Sequence, residues 1–195
     1  MTTHMIFAAL LGYALGSIPF GLLLTRAAGL GDVRQIGSGS IGATNVLRTG
    51  NKGLAAATVL LDAAKGIAAV LIAAHFWPGT AGVAAVGAIA GHCFPVWLKF
   101  KGGKGFATAA GVCAVLAWPV FLICAVIWAA LIFTIRISSV GSMAAVVVAP
   151  VAAWLLGYPQ AVWPLVAVAA IVLVRHHANI GRLLRGEEPK VGQKT

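Results

Sequence analysis

The stretch Gly105–Arg136, GFATAAGVCAVLAWPVFLICAVIWAALIFTIR, carries no charge before its last residue. Read as one helix over 105–135 it would be about 46 Å long at 1.5 Å rise per residue. Read as two, 105–117 and 119–135, it turns at Trp118-Pro119, where proline removes a backbone donor and clashes with the preceding turn. Outward from it lie further apolar runs at 4–25, 53–76, 80–98, 140–157 and 160–176. Each is near the roughly 20 residues that cross the hydrocarbon of a bilayer.

Charge placement chooses between the two readings. With a break at 118–119 there are seven spans, and the polar connections alternate between two faces. One face then receives Arg26, Arg34, Arg48, Lys52, Lys99, Lys101, Lys104, Arg136, Arg175, Arg182, Arg185, Lys190 and Lys194. Lys65 lies within a span, and the opposite face has no cation. A single helix over 105–135 would scatter these charges. The positive-inside rule therefore predicts seven spans, with the cationic face in the cytoplasm and the N-terminus outside. The expected fold is an all-α polytopic membrane protein: seven transmembrane helices, some short or re-entrant, with glycine-rich cytoplasmic loops, forming one domain over 1–195.

Composition agrees. Apolar residues make up 61% of the 195 residues and charged residues 9%, with 24 glycines. Soluble domains carry about 25% charge, so neither a water-soluble globule nor a disordered chain fits. The net charge of +10 points to anionic lipid or a phosphorylated small substrate. The polar surface is too small for a nucleic-acid duplex. Cys93, Cys113 and Cys124 sit in apolar runs without CxxC spacing and read as buried reduced thiols. The first apolar run lacks a Lys/Arg n-region and is too long for a cleavable signal. No repeat or appended soluble domain is apparent.

Three inner segments carry the unusual chemistry. The first is GDVRQIGSGSIGATNVLR over 31–48. Gly37, Gly39 and Gly42 allow tight turning, and successive N–H groups in such a turn form an anion nest. Ser38, Thr44 and Asn45 add neutral donors, and Arg34 or Arg48 a guanidinium fork. A flexible loop with two snorkelling arginines is the bland alternative. The second, GHCFPVWLKFKGGKGFAT over 91–108, is no Walker A, because its Lys is followed by Gly. Gly102, Gly103 and Gly105 nevertheless precede an apolar helix whose N-terminus favours anions, with Lys104 beside it. Lys99 and Lys101 read as anchors, and Trp97 as an interfacial residue.

In the third, RHHANIGRLLRGEEPK over 175–190, His176 and Asn179 share a helix face. Arg175, Arg182 and Arg185 are expected to point to lipid headgroups. Asp62 and Lys65, three apart inside the second span, read as a structural ion pair, with a functional cavity as the alternative. Ser138, Ser139 and Ser142 could extend a polar pocket, though small-residue helix packing explains them equally well. No metal or cofactor site is expected. There is no HExxH and no Cys/His cluster, and four acidic residues are too few for a two-metal phosphotransferase site. No GxSxG elbow appears, and no His is followed by Asp five positions on. Such a site, rich in donors and poor in bases, suits the binding and orienting of anions with an already activated substrate.

GSGSIGATNVLR, GHCFPVWLKFKGGKGFAT and HHANIGRLLRGEEPK, in this order on this span pattern, resemble the bacterial acyl-phosphate:glycerol-3-phosphate acyltransferases, the PlsY family. GSIPFG at 16–21 and Asp62…Lys65-Gly66 extend the likeness over nearly the whole chain. The resemblance implies transfer of a fatty acyl group from acyl-phosphate to the sn-1 hydroxyl of glycerol 3-phosphate, giving lysophosphatidate and phosphate. This is the first acylation of phospholipid synthesis. It implies a site at the cytoplasmic face of the bacterial inner membrane; no cofactor is expected, and the chain is expected to act as a monomer. By motif, Ser38, Arg48, Lys104, His176 and Asn179 correspond to catalytic residues. Gly37, Gly39, Thr44, Asn45, Gly102, Gly103, Gly105 and Ser142 are taken as substrate- and phosphate-binding. Glu188 corresponds to a glutamate needed for structural integrity. Ser40 stands where the family usually has Asn.

The implied mechanism fits the poverty of bases. Acyl-phosphate is a mixed anhydride, and its own phosphate oxygen can take the hydroxyl proton. A small transporter of organic phosphates is the rival reading. It would require polar groups lining a path to both faces and broken helices near the midplane.

Overall fold

At the junction of the two short apolar runs, Ala117 adopts φ −159°, ψ 85° and ends the helix before it. Pro119 lies in the first turn of the next helix, where its missing N–H would be unpaired in any case. The break predicted at Trp118-Pro119 is therefore present. The structure is a computed structural model describing residues 1–191; Lys194, assigned above to the cationic face, lies outside the described residues.

Among those residues all regular structure is helical. The helices are α1 (Thr2–Gly16), α2 (Phe20–Ala27), α3 (Ala43–Val46), α4 (Lys52–Phe76), α5 (Ala81–Cys93), α6 (Phe106–Leu116), α7 (Trp118–Thr134), α8 (Ser138–Leu155), α9 (Pro159–Arg175) and α10 (His177–Leu184). Each of the seven apolar runs forms helix, but their lengths do not establish seven crossings. Four segments are long and apolar enough to cross: Thr2–Ala27, Lys52–Phe76, Ala81–Leu98 and Ser138–Leu155. A fifth arises if α9 and α10, bent by 59°, count as one. The 11 residues of α6 reach about 16 Å, half the hydrocarbon thickness. The first run is not continuous either. It breaks at Ser17–Pro19, because Pro19 cannot donate to the α1 ladder.

Small residues let the helix backbones approach. On α1 and α5, a Cβ at Gly16 would lie 2.0 Å from the Ala88 carbonyl oxygen, and one at Gly91 2.2 Å from that of Tyr13. Close backbone approach of this kind replaces the hydrophobic driving force that helices lack in lipid. Val70, Ile89, Val112, Val168 and Val172 form the central core. Leu22, Val33, Ile41 and Val46 make a separate cluster beneath the 31–48 segment. That cluster is why a glycine-rich stretch holds one shape. Outward, Leu60, Val126, Phe133 and Trp154 are largely exposed, as a lipid-facing surface requires.

Candidate active site

The three polar segments converge. One cavity of about 1050 Å³ is lined by Ser38, Thr44 and Arg48 from the first, Lys104 and Gly105 from the second, and His176, Asn179, Arg182 and Glu188 from the third. Its other part runs between α4, α6, α7, α8 and α9, past Leu60, Ala109, Phe121, Trp128, Ala149 and Leu165. A charged end thus opens into an apolar one. A smaller recess of about 270 Å³ shares Ser38, Lys104, Asn179 and Arg182, and adds Gly39, Gly102 and Arg175.

Each part of the charged end is held by its own segment. The Asn45 amide nitrogen donates to the carbonyls of Val33, Ile36 and Ser40, and its oxygen accepts from the Ser38 N–H at 3.2 Å. Asn45 is 2% exposed. Its amide is taken up by the loop, so it shapes the wall on which Ser38 sits. Gly37 has φ +51°, and a Cβ there would meet the Arg48 Nη1 at 2.0 Å; the turn and the packing of Arg48 both require glycine. Arg34 is not free to grip a ligand, because Asp32 receives its Nε and Nη2 at 2.9 and 2.6 Å.

In the second segment the Gly103 and Gly102 N–H groups donate to the carbonyls of His92 and Cys93, at 3.0 and 3.2 Å. A Cβ on Gly103 would collide with the His92 ring. Gly103 lines neither hollow. These two glycines dock the loop on the end of α5, while Lys104 and Gly105 reach the large cavity.

In the third segment Glu188 is the hub. It accepts from Ser139 Oγ and Arg182 Nε, each at 2.7 Å, and from the Asn179 amide. Burial works against its charge, but the bonds from Asn179, Ser139 and Arg182 outweigh this and hold its carboxyl below the usual range. His176, at the corner between α9 and α10, pairs Nδ1 with the Val172 carbonyl at 2.7 Å. Burial lowers the Lys104 pKa to about 8; Glu188 opposes this, while Arg182, Arg48 and Arg175 add to it.

The sequence profile of the glycerol-3-phosphate acyltransferase family matches residues 6–186. The chain belongs to this family. It is 62% identical over 187 residues to the glycerol-3-phosphate acyltransferase of Erythrobacter litoralis, covering 96% of this chain and 95% of that one. It is 63% identical over 194 residues to that of Mesorhizobium japonicum, covering both in full. The crystal structure of PlsY (YgiH), an integral membrane glycerol 3-phosphate acyltransferase in its glycerol 3-phosphate form, superimposes with a TM-score of 0.90. Identity there is 34%, over 96% of each chain. Its lysophosphatidic acid form gives 0.88 at 33% identity, over 95% of this chain and 94% of that one. Like its relatives, the chain is an integral membrane protein.

Several residues around the cavity stand elsewhere than the sequence predicts. Arg175 does not point to headgroups; its Nε and Nη2 donate to the carbonyls of Gly103 and Gly102, each at 3.1 Å. Arg182 is likewise engaged, with Glu188. A guanidinium immediately before His176 and the glycine-rich stretch at 102–105 were the available signals for the first. Asp62 lines the cavity beside His92, with the His92 Nδ1 3.7 Å away. The Lys65 Nζ sits 2.7 Å from Asp62 and 2.8 Å from the Ile18 carbonyl at the break in the first run. The intrahelical pair is therefore real, and it also ties α4 to the α1–α2 break. Ser142 lines the cavity, its hydroxyl donating to the Ser138 carbonyl at 2.9 Å.

Proposed function

We propose that this chain transfers a fatty acyl group from acyl-phosphate to the sn-1 hydroxyl of glycerol 3-phosphate, releasing lysophosphatidate and inorganic phosphate. The observation that carries this reading is the single cavity with a cationic end continuous with an apolar one. An acyl-phosphate needs both: cations and N–H groups for its dianion, and a greasy channel for its tail.

Lys104, Arg48 and Ser38 hold the phosphates, with the Thr44 hydroxyl and the Gly39 and Gly105 backbone beside them. Ser142 faces the transferring group from α8. His176 and Asn179 orient glycerol 3-phosphate. The sn-1 oxygen attacks the acyl carbon, and the carbon–oxygen bond to phosphate breaks. A non-bridging oxygen of the departing phosphate takes the hydroxyl proton, so no protein base is required. The preorganised cations stabilise charge on the carbonyl and on the leaving phosphate. Glu188 keeps Asn179 and Arg182 in place. Asp62 and Lys65 hold the helices beneath.

The same reading places the chain in the bacterial inner membrane, N-terminus outside and catalytic cavity toward the cytoplasm, as a monomer with one domain over 1–195. The test is purified protein in detergent with palmitoyl phosphate and labelled glycerol 3-phosphate. Labelled lysophosphatidate is expected, and none with palmitoyl-CoA as donor. Uptake of label into sealed vesicles without any product would replace the enzyme by a transporter.

A further inference from the structure

We propose that Arg175 is a positioning residue for the transfer, holding the Gly102–Gly103 carbonyls so that the Lys104 backbone N–H and ammonium face the acyl-donor phosphate. The inference rests on the reaction just proposed.

The loop is gripped along two edges. On one, the Gly102 and Gly103 N–H groups donate to the end of α5. On the other, the two carbonyls accept the Arg175 fork. The guanidinium itself is fixed over the Phe94 ring, 5.3 Å from its centroid. A planar trans peptide sets its N–H opposite its C=O. Locking the Gly103 carbonyl toward Arg175 therefore turns the Lys104 N–H the other way. That N–H has no acceptor among the described residues. Gly105, at φ +89°, then starts α6, so the freed N–H groups of a helix N-terminus follow directly. Arg175 also precedes His176, so one residue ties the donor loop to the segment that orients the acceptor.

A lysine at 175 keeps the charge but cannot span two carbonyls. In Arg175→Lys, the KM for palmitoyl phosphate should rise about tenfold, the weight of one lost charge-assisted bond, while the KM for glycerol 3-phosphate stays within about twofold. Arg175→Gln should show the same split and a further sign. The charged groups facing Lys104 are Glu188, Arg182, Arg48 and Arg175, and the titratable ring of His176 stands across the cavity. Removing the Arg175 cation should shift the alkaline limb of activity to higher pH, which a merely structural loss would not do. Unchanged KM for palmitoyl phosphate in both variants, or equal rises in both KM values with the alkaline limb unmoved, overturns the proposal. Lack of any product with the unmodified protein would instead defeat the underlying reaction.

Discussion

Replacing Glu188 by glutamine removes one charge and leaves the shape. The carboxylate is 6% exposed and receives Ser139, Asn179 and Arg182. A hydrogen bond to a charged group contributes about 1.5–3 kcal/mol. Glutamine keeps one acceptor oxygen, so the loss is the Arg182 pair together with weakening of the rest. Because the three bonds share one acceptor they are not additive, and about 2–3 kcal/mol is the expected cost. For a chain of this length that corresponds to a fall in Tm of about 5–10 °C, read by tryptophan fluorescence in detergent. Glu188→Ala, which leaves all three donors without an acceptor, should lose about 4–5 kcal/mol. The pH dependence has a definite sign. The folded carboxyl lies below its ordinary value, so its contribution is present above the unfolded pKa and is lost as pH falls through the folded one. The glutamine variant should lack that part of the acid loss. A variant with unchanged Tm, unchanged acid sensitivity and unchanged KM for glycerol 3-phosphate would refute the hub.

With Lys104 lowered to about 8, the cation is present below that pH, so activity should fall as pH rises through it; Lys104→Ala should lose about a hundredfold or more in kcat/KM, measured as lysophosphatidate formed. His176→Ala should lose activity without losing a limb near pH 6–7, because the ring, its Nδ1 paired with the Val172 carbonyl, orients the acceptor and takes no proton; a limb in that range that disappears in the variant would make His176 a base. Gly16→Ala drives a methyl to 2.0 Å from the Ala88 carbonyl oxygen and should destabilise by about 1–3 kcal/mol, seen as a lower Tm. Asp62→Asn leaves Lys65, 2% exposed, without its counter-charge and should cost about 3–5 kcal/mol, much of it regained in Asp62→Asn/Lys65→Met.

The class of molecule and its polar segments were legible along the chain. Apolar runs scarcely interrupted by charge allow only helices that satisfy their own backbone in lipid. Pro119 announced its break because a residue without an N–H cannot continue a ladder. The three motifs were legible because glycine, lysine and histidine stand out against alanine and valine. Which side chains meet emerged with the packed bundle alone. Arg175 looked like a headgroup anchor until two carbonyls from 72 and 73 residues away came within reach. Asn45 looked like a ligand donor until three carbonyls of its own loop took its amide. Periodicity runs along one chain, whereas these partners are set by helices packing across the bundle, with Gly16, Gly66 and Gly111 fixing how closely. The distance between two segments is a property of that packing, and no local pattern encodes it.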